Sequence, residues 1–123
     1  MKPRFGPYPS LKQIKTAVDS FFGISTQLHI NEAHFVRARH IGWYLARTYT
    51  PFSAPRIGRY WGGFHHTVVL YGRKKIARHL PFDQELRRDV MDLSKKLGLY
   101  DWPESTGTRP TEFRADLSGE WAI

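Results

Sequence analysis

Side chains suited to recognising a nucleic acid cluster between residues 64 and 75 of this 123-residue chain. The cluster begins with imidazole and hydroxyl groups and ends with three consecutive cations; its members are His65, His66, Thr67, Arg73, Lys74 and Lys75. Imidazoles and hydroxyls donate and accept hydrogen bonds at base edges, and cations neutralise phosphates. A helix that carries these groups is suited to a DNA major groove. The cations alone have a second explanation, because positive charge near a helix C-terminus is favoured by the helix dipole.

The remaining polar residues predict neither catalysis nor a bound metal or cofactor. The chain has six histidines, but adjacent His65 and His66 point about 100° apart on a helix, and no cysteine or nearby carboxylate completes a tetrahedral metal site. The G-x-S-x-G nucleophile motif is absent, as is the phosphate-binding G-x-x-x-x-G-K-[ST] loop. Paired carboxylates occur only in residues 83–92 and in the C-terminal tail, where charged, solvated faces explain them. We therefore expect no enzymatic activity and no ATPase.

The charge of the chain is unevenly distributed. Residues 1–80 carry 13 Lys and Arg against two acidic residues, a net charge of +11. Residues 81–123 carry six Lys and Arg against nine acidic residues, a net charge of −3. The two parts together give the +8 of the whole chain. This asymmetry indicates that the first part meets a polyanion. The alternative explanation of the charge alone is a basic, soluble domain without a nucleic-acid role.

Length indicates one domain, and the composition is compatible with a cytoplasmic location. The chain is long enough for a single modest core. No apolar run approaches the roughly 18 residues of a membrane span, and the N-terminus lacks the apolar region of a secretory signal. The absence of cysteine excludes a disulfide framework. We expect a cytoplasmic, nucleoid-associated location and no membrane partner.

Two predicted helices joined by a glycine turn position the cluster. Ser53 can cap the first helix, Pro55 suits its first turn, and Gly62-Gly63 allows the positive φ that a sharp turn needs. The second helix, which Pro81 ends, has an inward stripe at spacings of three, four and four: Val69, Gly72, Ile76 and Leu80. Its outward residues are expected to be His66, Thr67, Leu70, Arg73 and Lys74. This pattern predicts a helix–turn–helix.

Three further helices are predicted around this motif, so the expected fold is an all-α bundle. The first runs from Leu11 to about Phe22, between a capping box at Ser10 and a stop at Gly23. The others cover residues 36–48 and, from Phe82 or Asp83, residues up to about 97. The expected inward positions are Leu11, Ile14, Val18, Ile41, Leu45, Thr48, Leu86, Val90, Leu93 and Leu97. The middle helix is expected to carry Arg37, Arg39, His40 and Arg47 on its surface.

The segments outside the helices carry fewer signals. A short turn that starts at Ser25 or Thr26 is expected to bring Leu28 and Ile30 into the core, which Trp43, Tyr60 and Trp61 also join. The chain divides into a flexible arm at 1–10, a DNA-binding domain at 11–99 and an irregular tail at 100–123. The tail has three large aromatic residues that either pack on the helices or dock on a partner: Trp102, Phe113 and Trp121.

Four segments resemble the C-terminal DNA-binding domain of DnaA, the bacterial replication initiator. They are AVDSFFGIS from Ala17, ARHIGWYLAR from Ala38, SAPRIG from Ser53 and GGFHHTVVLYGRKKI from Gly62. The last agrees with the family pattern, close to GGRDHTTVLHACRKI, at Gly62, Gly63, His66, Thr67, Val69, Leu70, Lys75 and Ile76. The resemblance extends from about residue 11 to residue 99. It implies a helical bundle with a helix–turn–helix similar to that of the Trp repressor.

The resemblance also implies double-stranded DNA as the partner, bound through the helix that carries Thr67. Carried over by position, His66 and Thr67 meet base edges, and Pro55, Arg39 and Lys75 lie near the DNA backbone. The residues expected at the DNA are Arg37, Arg39, His40, Pro55, Arg56, Phe64, His65, His66, Thr67, Val68, Arg73, Lys74 and Lys75.

Departures from the family pattern predict a different sequence preference. Phe64 and His65 replace Arg-Asp, and a neutral His can meet either a donor or an acceptor where Asp only accepts. Val68 replaces a Thr, and His40 replaces a Gln. The family's basic loop, which reaches the minor groove, is replaced by residues 28–34, which contain no Arg or Lys. The family's recognition sequence is therefore not carried over.

Two functions fit these observations. The first is a small duplex-DNA-binding protein without ATPase activity that regulates bacterial replication initiation or transcription. The alternative is an adaptor that binds the replication initiator or another replication protein, with weak or non-specific DNA binding; the altered base-facing residues and the aromatic tail motivate it. The two are compatible, and the sequence predicts no oligomeric state.

Overall fold

The computed structural model describes residues 8–99, which form five α-helices and no β-strand. In chain order the helices are α1 (Leu11–Phe22), α2 (Ala33–Tyr49), α3 (Ala54–Tyr60), α4 (His66–His79) and α5 (Gln84–Lys96). The all-α expectation is confirmed, and α3 and α4 are the two helices of the predicted helix–turn–helix. Residues 1–7 and 100–123 lie outside the described part of the chain, so the arm and the aromatic tail stay predictions.

Helix α1 begins and ends where its sequence signals place it. The hydroxyl of Ser10 accepts the N–H of Gln13 at 3.1 Å, and Oε1 of Gln13 accepts the N–H of Ser10 at 2.8 Å. Two of the backbone donors that a helix N-terminus leaves unpaired are thereby satisfied. Gly23 ends the helix in the left-handed conformation with φ 69°. Just before α1, Pro9 is buried and the ring edge of Tyr8 meets Phe52.

Helix α2 is central, because it packs against each of the other four helices. It starts at Ala33, three residues before the predicted start. The sequence gives no signal for this start, because the residue before it, Glu32, forms no side-chain capping bond. Ile41 and Leu45 are fully buried as predicted, whereas Thr48 is exposed.

The prediction that Arg39 and His40 lie on the surface of α2 is wrong. Only 4% of Arg39 and 6% of His40 is exposed. A helix that contacts α1 and α4 as well as the shorter α3 buries more of its circumference than one stripe. Arg37 and Arg47, predicted on the same surface, are half-buried.

The tryptophans of the core hold the helix–turn–helix against α2. Trp43 and Trp61 are both fully buried, as expected, whereas Tyr60 is 43% exposed. A Cβ at Gly42 would lie 2.6 Å from Cζ2 of Trp61, so the indole packs directly on the α2 backbone. Trp61 donates from Nε1 to the hydroxyl of Thr26 at 2.9 Å. The indole N–H therefore has a partner inside the core.

The loop between α1 and α2 is held by polar contacts, which the sequence did not indicate. Thr26 is fully buried, and its hydroxyl donates to the carboxylate of Asp19 while accepting from Trp61. Leu28, expected in the core, is 45% exposed, and Ile30 is half-buried. Because Thr26 occupies the core position, the chain after it runs along the surface.

Helix α5 confirms its predicted stripe. Asp83 caps it by accepting the N–H of Leu86 at 3.0 Å. The stripe residues are all buried: Leu86, Val90, Leu93 and Leu97. Gly98 follows with φ 76°, the positive value expected after a helix C-terminus. Through this stripe α5 packs on α1 and α2.

Candidate nucleic-acid interface

The turn between α3 and α4 depends on one close backbone approach. The carbonyl oxygen of Gly58 accepts the N–H groups of Gly63 and Phe64, each at 2.9 Å. A Cβ at Gly58 would overlap the carbonyl oxygen of Phe64. Gly62 and Gly63 have φ values of 112° and 84°, as their sequence predicted. The requirement at Gly58 was missed, because a glycine inside a predicted helix does not reveal its contacts.

His65 caps α4 through a contact that selects the tautomer of its neutral ring. Its Nδ1 accepts the backbone N–H of Thr67 at 3.2 Å and lies 2.9 Å from the Thr67 hydroxyl oxygen. An accepting Nδ1 carries no hydrogen, so in the neutral ring the hydrogen is on Nε2. The hydroxyl of Thr67 then donates to Nδ1. His65 and Thr67 are both exposed.

The outward face of α4 is a row of residues at spacings of four, three and four. We call it the outward stripe; its members are Thr67, Tyr71, Lys74 and Arg78. It lies opposite the buried stripe of Val69, Gly72 and Ile76. Tyr71 is 56% exposed, whereas Leu70, Arg73 and Lys74, which were expected outside, are half-buried.

Tyr71 and Arg78 were not among the residues expected at the DNA. The signal that would have found them is the spacing itself, since they stand opposite the inward stripe. His66 and Val68 flank the start of the outward stripe and are exposed, Val68 by 42%. The first turn of α4 is therefore open to a ligand.

A stack of side chains fastens the α1–α2 loop to the turn. The ring of His29 lies on the ring of Phe64, with centroids 3.9 Å apart and planes 8° apart. His29 also donates from Nε2 to the carbonyl oxygen of Gly62 at 2.7 Å. The guanidinium of Arg39 lies 4.8 Å from the centre of the Phe64 ring. We call these three residues the loop clasp; Phe64 is thus half-buried and engaged.

Arg39 is occupied by backbone carbonyls. Its Nη1 donates to the carbonyl oxygens of Leu28 at 2.9 Å and Ile30 at 3.1 Å. Burial lowers the pKa of Arg39 from its ordinary value. The side chain therefore holds the loop in place from within the core.

His40 is buried at the α2–α4 contact as a neutral ring. Burial lowers its pKa to about 4, and the nearby charges of Lys75 and Arg39 act in the same direction. A Cβ at Gly72 would lie 2.5 Å from Cδ2 of His40, so the ring rests on the α4 backbone. Its other ring neighbours are Trp43 and Tyr71.

The other predicted residues lie in different places. Nη1 of Arg37 forms an ion pair with Oδ2 of Asp89 on α5 at 2.9 Å, which ties α2 to α5. Pro55 and Arg56 are exposed in the first turn of α3, and the Arg56 guanidinium lies 4.5 Å from the centre of the Phe52 ring. Lys74 and Lys75 on α4 are half-buried.

Residues 8–99 contain no group of three His, Asp or Glu side chains arranged to hold a metal ion. None of the helices in this part of the chain is both long enough and apolar enough to cross a membrane.

A family model described as the bacterial dnaA protein helix-turn-helix matches residues 11–76, more than half of the chain. The match begins at the first residue of α1 and ends at Ile76, the last buried residue of α4, so it includes the turn and the start of the outward stripe. The domain that this family describes binds double-stranded DNA and is not by itself catalytic.

Proposed function

This chain belongs to the bacterial DnaA helix–turn–helix family, and we propose that it regulates chromosome replication initiation or transcription by placing α4 in the major groove of DNA. The observation that carries the proposal is the outward stripe. It presents a hydroxyl-bearing residue and an aromatic ring toward the start of α4, and two cations toward its end. A cytoplasmic, nucleoid-associated location is part of the same proposal.

Base contacts come from the first turn of α4. The hydroxyl of Thr67 is engaged by His65, which leaves the methyl group of Thr67 for contact with DNA. Val68 adds two exposed methyl groups. Apolar groups of this size contact the thymine C5-methyl in the major groove. His66, beside them, supplies a ring that donates or accepts a hydrogen bond.

His65 acts as a hydrogen-bond donor to DNA. Because its Nδ1 accepts the backbone N–H of Thr67, the neutral ring can offer DNA only the N–H at Nε2. Acceptors in the major groove are guanine O6 and N7, adenine N7 and thymine O4, and phosphate oxygens accept as well. The cytosine amino group is a donor and does not pair with this ring. Of the two roles that the sequence left open for His65, donor and acceptor, the geometry thus favours the donor.

Phosphate contacts come from cations on the outward stripe, where Arg78 is exposed and Lys74 is half-buried, and from the start of α3. Lys74 and Arg78 belong to the outward stripe, and Arg56 is exposed at the start of α3 beside Pro55. Arg73 and Lys75, on the flanks of α4, are half-buried and reach phosphates only with the ends of their side chains.

Four residues expected at the DNA have positioning roles in this proposal. Arg37 is paired with Asp89, Arg39 holds the loop carbonyls, and the neutral ring of His40 packs under α4. Phe64 likewise belongs to the loop clasp. With residues 28–34 fastened to the turn and free of Arg and Lys, we expect no minor-groove contact from this loop.

Selection of bound sequences from a random duplex pool at about 150 mM salt tests the proposal, since base contacts dominate there over phosphate binding. We expect an enriched motif and, for five to seven neutralised phosphates, a slope of log K against log salt of about −4.5 to −6. Thr67→Ala and His65→Ala should weaken binding to the motif more than to random DNA, whereas Lys74→Ala should weaken both alike. Equal losses on all sequences for every variant would contradict base recognition.

A second function, an adaptor for the replication initiator or another replication protein, is favoured by Phe82. This residue joins α4 to α5 and is 86% exposed, and Met91 on α5 is 50% exposed. An exposed aromatic ring of this size could anchor a protein partner, because aromatic side chains are enriched among the residues that dominate interface energy. Binding of the full chain to purified initiator, compared with its Phe82→Ser variant, tests it. Unchanged binding by the variant, or none by either, would remove this function.

A further inference from the structure

A groove opens on the flank of α4, between α2 and the start of α5. Its volume is about 470 Å³, within the range of roughly 300–1,000 Å³ typical of ligand sites. Val36, Ile76 and Leu86 form its apolar wall. The groove adjoins Lys75, whereas none of the outward stripe residues lines it. A ligand there would leave that stripe uncovered.

The polar side of the groove includes His40 and Lys75. His40 lines the groove, and only 6% of the residue is exposed. Its ring nitrogens form no hydrogen bond with the residues that the structure describes. Lys75 also lines the groove and pairs with no carboxylate in that part of the chain. Asp83 also lines the groove, and its Oδ1 accepts the N–H of Leu86. An ammonium group beside a ring N–H suits a carboxylate, because hydrogen bonds to an ionised group are stronger than those between neutral groups.

The chain itself carries the matching chemistry beyond residue 99. Acidic residues stand directly before aromatic residues three times: Asp101-Trp102, Glu112-Phe113 and Glu120-Trp121. Residues 100–123 contain five acidic residues against two arginines. A carboxylate followed by a large ring is what a groove with donors on one side and an apolar wall on the other accommodates.

Reach separates these pairs. The groove lies at the first turn of α5, and the described chain ends at Leu99, beyond its far end. The 13 residues of α5 span about 20 Å at ~1.5 Å per residue. An extended chain advances about 3.3 Å per residue, so the three residues from Leu99 to Trp102 can span at most about 10 Å and the 13 residues to Glu112 at most about 43 Å. The second and third pairs reach the groove, and the first does not.

We propose that the groove binds the chain's own segment 112–121, with a glutamate carboxylate at Lys75 and His40 and the following ring against Val36 and Ile76. The proposal does not rest on DNA binding, since the outward stripe faces elsewhere. It assigns to the acidic C-terminal part of the chain a specific site on the basic part.

Paramagnetic broadening in the full chain tests the contact. The sequence has no cysteine, so Ser118→Cys accepts a single spin label between the two pairs. The amide signals of Val36, Ile76 and His79 should lose most of their intensity. Broadening spread evenly over all helices, or none, overturns the proposal. Broadening seen only when unlabelled chain is mixed with spin-labelled chain means that another copy supplies the segment, which also overturns it.

Matched substitutions separate a specific contact from general attraction. Lys75→Gln should restore the groove signals, whereas Lys74→Gln, the same change one residue away and outside the groove, should not. Removing both reachable pairs (Glu112→Gln with Phe113→Leu, and Glu120→Gln with Trp121→Leu) should also restore them, and Asp101→Asn with Trp102→Leu should not. Equal effects of the two lysine changes would mean long-range attraction alone and overturn the proposal. The amide spectrum of each variant shows whether it is folded.

Discussion

The imidazole of His29 lies flat on the phenyl ring of Phe64, with the ring centroids 3.9 Å apart. This contact joins the α1–α2 loop to the turn of the helix–turn–helix, and Arg39 supports both from the core side. Phe64 and His65 are consecutive, so the clasp also determines where the chain enters α4. The loop and the start of α4 therefore form one unit, although 35 residues separate His29 from Phe64 in sequence order.

The first prediction concerns this stack. A double-mutant cycle with His29→Leu and Phe64→Leu, measured by urea unfolding, should give a coupling free energy of about 0.5–1.5 kcal/mol, the usual value for a stacked pair. His34→Leu paired with Phe64→Leu is the control, because His34 is exposed and its ring meets Phe35. A coupling near zero for the His29 pair would show that the stack adds nothing beyond apolar burial.

The second prediction concerns the hydroxyl of Thr26. Thr26→Val keeps the shape but leaves the Trp61 indole N–H buried without an acceptor, at an expected cost of about 1–3 kcal/mol in the free energy of unfolding. Thr16→Val, at an exposed position of α1, should change it little. Similar unfolding midpoints for the two variants would contradict a structural role for this network.

The third prediction is a pH dependence from His40. Its pKa is about 4 in the folded chain against an ordinary 6.5, so the unfolded chain binds more protons between these values. The contribution of neutral His40 to the free energy of unfolding is therefore fully present above pH 6.5. It is lost as the pH drops toward 4, and the loss amounts to roughly 3 kcal/mol. His40→Gln should remove this part of the loss. If the unfolding free energy depends on pH in the same way in the unchanged chain and in the His40→Gln variant, the assignment is refuted.

The fourth prediction concerns Gly58. Alanine is ordinarily the better helix former by about 1 kcal/mol, but here its Cβ would overlap the Phe64 carbonyl oxygen. Gly58→Ala should therefore destabilise the chain, by about 1–3 kcal/mol as in other overpacked sites. Arg59→Ala, at the exposed neighbouring position, provides the thermal-unfolding control. A stabilised Gly58→Ala would mean that the turn shifts freely.

The fifth prediction concerns Arg78 of the outward stripe. If Arg78 contacts one phosphate, Arg78→Ala should reduce the magnitude of the salt slope of DNA binding by about 0.9. Arg88→Ala removes the same charge from the exposed face of α5 and should leave the slope unchanged. A slope that responds equally to both would indicate a diffuse electrostatic effect without a contact at α4.

Local signals in the sequence predicted the helices well. The caps at Ser10 and Ser53 and the stops at Gly23 and Gly98 depend on neighbours within a few residues, and all four are present. The start of α2 was missed because Glu32 provides no capping bond.

Burial that depends on distant partners was not predicted. Arg39 and His40 are covered by helices on more than one side of α2, and Thr26 takes a core position because Trp61, 35 residues further along, supplies its partner. At the candidate site the start of α4 and its inward stripe were predicted. Tyr71 and Arg78 were missed because the outward face was inferred from residue type before spacing.

The contact between His65 and Thr67 has an evolutionary consequence. Within residues 8–99 the side chains of Lys74 and Arg78 form no hydrogen bond or ion pair, so we expect mutations there to change the proposed DNA affinity in small steps. Position 65 is different, because the ring that we propose to meet DNA also caps α4. Residues that can accept the Thr67 N–H are favoured there, and each brings its own hydrogen-bonding preference. A change of sequence preference at this position would therefore occur in discrete jumps among a few amino acids.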